Sequence, residues 1–181
     1  EYGSQKCNTA QCTVTAAGAG IVTKGMGKTG VKITAATVGK VIDMGVKDPF
    51  NMGAAMAPAA ADTILAHFQE LNLQPQDYDL ILTGDLGKVG HQILLDLMQE
   101  KGMPLLAERA NDGGKMIYPD DPKFFAGASG CGCMAAVTYG HIFRQLQTRK
   151  LNKVLCIATG ALLSPLTTMQ QESIPGIAHA V

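Results

Sequence analysis

The chain has 181 residues, of which 46% are hydrophobic, and its 15 lysines and arginines balance its 15 aspartates and glutamates. That length fits one well-buried domain, and zero net charge argues against nucleic acid or an anionic membrane as a partner. Every apolar stretch is interrupted well short of the roughly 20 residues that span a bilayer, so we expect a soluble chain without a transmembrane helix.

The N-terminal third predicts two strands and a helix. β-Branched and small residues over 12–24 indicate a strand, and 31–45 indicates its hairpin partner after a glycine-rich turn. A helix is expected from about Ala54, with Pro58 in its first turn. Its apolar face consists of Ala57, Ala61, Ile64, Leu65 and Phe68.

The remainder alternates strands and helices. Residues 78–83 form a short apolar run typical of a strand buried on both faces, and 89–101 is amphipathic, with Ile93, Leu94, Leu97 and Met98 pointing inward. Residues 103–129 are irregular and long for a structureless link. A third helix is predicted over 130–149, a buried strand over 153–161 and a last strand over 173–181. This order predicts an α/β fold, a five-stranded mixed sheet packed between helices.

The first residues lack an initiating Met and a signal-peptide pattern, so we expect a fragment. Five cysteines at irregular spacing fit free thiols in a reducing compartment better than disulfides.

Two glycine-marked loops, "TGDLGKVG" and "AGASGCGC", each precede a predicted helix. In open α/β sheets ligands collect beyond the carboxyl ends of strands, where helix starts offer free N–H groups and partial positive charge. Both loops therefore indicate one site. Neither has the spacing of a nucleotide-binding loop. Asp85 is interpreted either as a helix cap or as a ligand contact, and Lys88 either as solvated or as a ligand contact.

The cysteines of "CGC", Cys131 and Cys133, are separated by one residue, too few for a zinc pair, so no metal site is expected. A thiol at a helix start is nucleophilic because the helix dipole lowers its pKa, whereas a buried cysteine packs inertly; both interpretations stay open. Of the two, Cys133 is the better functional candidate. His91 is either an acid–base group or a structural histidine inside its helix.

Five segments together resemble the C-terminal half of a family of bacterial sporulation proteins within the thiolase-like superfamily. They are "AQCTVTAAGAGIVTKG", "GKVIDMGVKDPFNMGAAMAPAAADTI", "DLILTGDLGKVGH", "AGASGCGCMAAVTYGH" and "IATGALLSPLTTMQQESIPGIAHAV". The resemblance covers nearly the whole chain and implies that residues 1–181 form one thiolase-like half of a two-half protein, the other half packing against it in a layered αβαβα body.

The resemblance also implies a function, namely binding dipicolinic acid and supporting its uptake into the developing spore. The implied location is the forespore or spore, peripheral at the inner membrane. The implied partners are dipicolinic acid, the protein's own N-terminal thiolase-like half, other sporulation proteins at the membrane and a second copy in a homo-oligomer. No cofactor is implied.

Catalysis is not expected. In related condensing enzymes a His and an Asn polarise the thioester carbonyl, and their positions correspond here to Gly84 and Ala128. Neither residue donates a side-chain hydrogen bond to a developing oxyanion. The nucleophilic cysteine of such enzymes comes from the other half. We therefore expect a pseudoenzyme with no catalytic residues.

The two helix starts suit a small dianion, whose carboxylates would accept backbone hydrogen bonds around Ser129–Cys131 and Leu86–Lys88, with Cys133 and Met134 beside its ring. The predicted ligand-binding residues are Gly84, Asp85, Leu86, Gly87, Lys88, Ser129, Gly130, Cys131 and Cys133. Two alternatives remain: an acyltransferase whose catalytic groups have moved, using Cys133 or His91, and a scaffold in a membrane transport assembly.

Overall fold

The structure is a computed structural model that describes residues 6–25 and 30–181. Its strands are β1 (Cys12–Thr13), β2 (Leu80–Thr83), β3 (Ala110–Asp112), β4 (Ala128–Ser129), β5 (Val154–Ala161) and β6 (Gly176–Ala180). Its α-helices are α1 (Met52–Leu71), α2 (Gly87–Glu100), α3 (Gly113–Ile117), α4 (Cys133–Val137), α5 (Phe143–Gln147) and α6 (Pro165–Met169). A π-helical segment, Thr138–Ile142, joins α4 to α5, and 3₁₀ turns lie at Pro75–Asp77 and Pro122–Phe124.

The main sheet has the order β3-β2-β5-β6. β2 runs parallel to β3 and β5, while β6 is antiparallel to β5. The predicted mixed α/β architecture is confirmed, and so are the two apolar strands and the last strand. The described strands form this four-stranded sheet and a separate pair, β1 with β4, instead of one five-stranded sheet.

Alternation along β2 places successive side chains on opposite faces of the sheet. Ile81 belongs to the larger apolar cluster, which α1 and α2 complete. Leu82 belongs to a second cluster with Val137 and Ile142 from the helical run 133–147. Burial of each such side chain contributes about 1.5–3 kcal/mol. The central strand is therefore covered on both sides, as its continuous apolar sequence predicts.

Helices α1 and α2 cross at a contact between two glycines. A Cβ on Gly90 would lie 2.7 Å from the Cα of Gly53, so only glycine permits this approach. The predicted apolar face of α1 is buried except for Leu65, which is half-buried. α1 begins at Met52, two residues earlier than predicted, so Pro58 lies in its second turn. The prediction that Pro58 lies in the first turn is therefore wrong.

The predicted hairpin between 12–24 and 31–45 is wrong. β1 pairs in parallel with β4, and Thr37 and Ile42 instead form isolated antiparallel bridges to β6. The turn predicted between the two segments falls partly on residues 26–29, which lie outside the described residues. β-Branched alternation specifies an extended backbone but not its partner, and here the partners lie far away in sequence.

Residues 103–129, predicted as irregular, contain β3, α3 and β4. β3 is only three residues long, and no alternating pattern can be read from so short a segment. The predicted third helix is present over 133–147, but a π-helical segment interrupts it.

Candidate functional site

A buried aspartate, Asp112, organises the carboxyl edge of the sheet. It ends β3 and caps α3, and its side chain accepts a hydrogen bond from the Lys115 amide at 3.2 Å. Its Oδ2 also accepts from the Leu86 amide at 2.9 Å, and its Oδ1 from the Gly87 amide at 2.9 Å. Thr83 Oγ1 donates to Oδ2 at 2.6 Å. Burial raises the pKa of Asp112 to about 6, against the opposing effect of these donors.

The second carboxylate, Asp85, joins three segments at the same edge. Its Oδ2 accepts from the Gly130 amide at 3.0 Å, and its Oδ1 accepts from Thr159 Oγ1 at 3.1 Å. Burial raises the pKa of Asp85, and its hydrogen bonds with Gly130 and Thr159 act in the opposite direction. Unlike Asp112, it is only half-buried. The two glycine-marked loops thus meet at one site, as the sequence predicts.

Most of the backbone donors that we assigned to a ligand are engaged within the protein. The Leu86 and Gly87 amides bond to Asp112, and the Gly130 amide bonds to Asp85. The Lys88 amide donates to the Ala126 carbonyl at 2.7 Å. A ligand carboxylate must therefore displace an internal acceptor to use any of these four donors.

The other predicted ligand residues surround these bonds. Lys88 forms an ion pair through its Nζ with Asp120. Ser129 is buried in β4, where its carbonyl accepts from the Val14 amide at 2.9 Å, while Cys131 is exposed. A Cβ on Gly84 would stand 2.7 Å from Thr159 Oγ1 and 3.6 Å from Met134 Sδ. The space beside Gly84 is therefore filled by side chains of the same chain, Thr159 and Met134.

Cys133 lies beneath the site and is fully buried. Its thiol contacts the Gly84 carbonyl, with Sγ 3.9 Å from the oxygen. Burial raises the pKa of Cys133 to about 12, and the negative charges of Asp85 and Asp112 act in the same direction. The environment therefore favours the inert interpretation of this thiol over the nucleophilic one.

His91 lies one helical turn beyond Gly87 on α2. It is buried, and its Nδ1 has no hydrogen-bond partner among the described residues. Burial lowers the pKa of His91 to about 4, and the positive charge of Lys115 adds to this effect. A neutral imidazole packed in this way fits the structural interpretation.

Sequence reasoning missed Gln11, Thr83, Asp112 and Thr159. Gln11 Nε2 donates to the Asp85 carbonyl at 2.7 Å and to the Ala128 carbonyl at 2.9 Å, so it ties the two loops together. Gln11 directly precedes the strand predicted over 12–24, whose expected partner was 31–45, so the sequence did not indicate this contact. For Asp112 a signal existed in the sequence. An aspartate followed by two glycines, Gly113 and Gly114, is typical of a helix N-cap where another backbone segment packs closely.

Within residues 6–25 and 30–181, no group of three or more His, Cys, Asp or Glu side chains is arranged to hold a metal ion. No helix in those ranges combines the length and the apolar character needed to cross a membrane.

Comparison with known proteins identifies the family of this chain. The family model described as Stage V sporulation protein AD matches residues 1–181. The chain is 55% identical over 181 residues to stage V sporulation protein AD of Bacillus subtilis (strain 168), covering 100% of this chain and 53% of that protein. The chain thus spans about half the length of the curated relative that it matches.

Proposed function

The chain belongs to the stage V sporulation protein AD family, and from that premise we propose that it is a non-catalytic, anion-binding part of a sporulation protein whose ligand is dipicolinic acid. In this proposal residues 1–181 are the C-terminal thiolase-like domain of a two-half protein. The full protein supports dipicolinate uptake into the developing spore, peripheral to the inner membrane. Its partners are its N-terminal half and other stage V A-locus sporulation proteins.

One observation carries the proposal: amides of both glycine-marked loops already bond to carboxylates, those of Asp112 and Asp85. Helix starts and glycine loops that accommodate internal carboxylates have the geometry that a ligand carboxylate requires. Asp112 is fully buried and bonded on both oxygens, so it is fixed. Asp85 is half-buried and is therefore the acceptor that a ligand exchanges with.

The ligand carboxylate accordingly takes the place of Asp85 at the Gly130 amide and the Thr159 hydroxyl. This binding mode uses only one of the two loops that the sequence analysis assigned to the ligand. The amides of Leu86 to Lys88 stay bonded within the protein, and the loop containing Ser129 to Cys131 supplies the contact. The negative charge of Asp85 competes with the ligand, so its removal favours binding.

The test is calorimetry with dipicolinate on the full-length protein, comparing wild type with Asp85→Asn. We expect the isosteric, neutral variant to bind about tenfold more tightly, because one competing charge is absent. Asp96→Asn, an exposed acid on α2, is the matched control and leaves affinity unchanged. Equal affinity in all three proteins would place the ligand elsewhere, and no heat of binding in any of them would remove dipicolinate from the proposal.

The acyltransferase alternative depends on Cys133 or His91. With a pKa of about 12 for Cys133, only about one thiol in 10⁵ is ionised at pH 7. An imidazole with a pKa of about 4 takes up a proton poorly at that pH. Thioester turnover by the full-length protein above the rate in buffer would favour the enzyme; the proposal expects none.

The scaffold alternative draws on the same bonds, since internally occupied donors suit a protein that binds no small ligand. Spores that carry a full-length protein with a bulky residue at Gly130 separate the two. A normal dipicolinate content would favour the scaffold, whereas a reduced content with normal protein level supports ligand binding.

A further inference from the structure

Two adjoining cavities lie on the surface of the helical run 133–147 and share one residue, His141. The first has a volume of about 430 Å³ and is lined by His141, Arg144, Gln145, Thr148 and Lys150. The second has a volume of about 290 Å³ and is lined by Met116, Ile117, Ala136, Val137 and His141. Residues 137, 141, 144, 145 and 148 recur at helical spacing, so the two cavities lie along a single face, and together we call them the groove.

The first cavity is cationic. Arg144 and Lys150 are basic side chains, and neither belongs to any of the salt bridges found among the described residues. No carboxylate lines the cavity, and residues 122–171 of the sequence contain neither Asp nor Glu. Within the lining of the cavity the positive charge therefore has no carboxylate partner, and an anion is the complementary ligand.

The second cavity is apolar. Met116 and Ile117 reach it from α3, and Ala136 and Val137 reach it from α4. The thioether of Met116 is adaptable and suits a ring or a short chain. An apolar body placed here leaves water while its charged end stays at Arg144 and Lys150.

The junction of the two cavities lies in the π-helical segment Thr138–Ile142. Such segments are rare and occur frequently at functional sites. Gln145 Nε2 lies 2.6 Å from His141 Nε2, which orients both side chains at the junction. Next to His141, a Cβ on Gly140 would have no atom within 4 Å, so the surface is open there.

We propose that this groove binds a small amphipathic carboxylate, with the apolar body against Met116 and Val137 and the carboxylate at Arg144 and Lys150. The site is separate from the one formed by Asp85 and Gly130, and its existence does not depend on the proposed function. A ligand that fits both cavities has a negative charge at one end and an apolar body at the other.

The experiment uses full-length protein labelled with ¹³C at methionine methyl groups and titrated with hexanoate, acetate and hexanol. Met116→Leu assigns the signal in the groove, and Met169, exposed on α6, is the internal control. We expect hexanoate to shift the Met116 methyl signal saturably and to leave Met169 unmoved. Acetate lacks the apolar body and hexanol lacks the charge, so each binds at least about tenfold more weakly.

Variants locate the charged end. Arg144→Gln combined with Lys150→Gln weakens hexanoate binding at least about tenfold, because both charge-assisted contacts are lost. Arg149→Gln is the matched control, since this neighbouring cation does not line the cavity, and it leaves binding unchanged. Absence of a saturable Met116 shift, or equal affinity of the double variant and wild type, would overturn the proposal.

Discussion

Thr83 and Asp112 are register partners on neighbouring parallel strands, and their side chains meet at the ends of those strands through a hydrogen bond of 2.6 Å. This pair fixes the carboxyl edge of β2 against β3. It also holds the Asp112 carboxylate where the amides of Leu86 and Gly87 reach it. The start of α2 is therefore positioned by an acid from another strand, and the stability of this edge depends on the charge of that acid.

The raised pKa of Asp112 predicts that stability depends on pH. Its pKa of about 6 when folded exceeds the ordinary value of 3.8, so between these values the native state binds more protons than the unfolded state. Stability from this group is present at the lower end of that window and is lost as pH rises through 6. We expect the free energy of unfolding to fall by up to about 3 kcal/mol from pH 4 to pH 7.

Urea unfolding at pH 4, 5, 6 and 7 measures this dependence. The side chain of the Asp112→Asn variant cannot titrate. Its free energy of unfolding therefore changes less with pH than that of wild type, whatever its absolute stability. Identical slopes for wild type and variant would show that Asp112 titrates normally.

Burial and a raised pKa make Cys133 unreactive, while Cys7 and Cys131 are exposed. With iodoacetamide at pH 8 we expect the two exposed cysteines to react and Cys133 to remain unmodified until the protein unfolds. Mass spectrometry of peptides from native and urea-treated protein reads this directly. Modification of Cys133 in the native protein at the rate of Cys131 would contradict its placement.

The glycine contact between α1 and α2 predicts opposite effects of the same substitution at two helical glycines. Gly90→Ala places a methyl group 2.7 Å from Gly53 Cα and costs about 1–3 kcal/mol. Gly140→Ala meets no atom within 4 Å and stabilises by up to about 1 kcal/mol because alanine favours helix. Thermal unfolding compares them, and a loss of equal size at both sites would rule out the crossing as the cause.

Exposed apolar side chains predict that the 181-residue chain self-associates. Ile21 is 94% exposed and Met169 is 83% exposed, and Leu166 lies on the same short helix as Met169. Surface of this kind drives association when nothing covers it. Light scattering of the isolated chain is expected to show oligomers, which Leu166→Glu with Met169→Glu reduces. A monodisperse monomer at micromolar concentration would be the contrary result.

Local sequence patterns alone determined the two long helices and the apolar strands. α1 and α2 are marked by apolar residues at helical spacing, and β2 and β5 by continuous apolar runs. The two glycine-marked loops were also placed at one edge from their position after strands and before helices. Local patterns of this kind survive folding because each is stabilised by the face that the pattern itself creates.

Pairing and the bonds at the site were decided only by the tertiary structure. Residues 12–13 pair with 128–129, and Gln11 bonds to Ala128, across more than 110 residues that no local pattern connects. Asp112 lies in a segment too short to show a period, yet it takes up the donors that the sequence assigned to a ligand. Sequence determines which groups can donate and accept, whereas the choice between an internal carboxylate and a ligand depends on which chain segments meet.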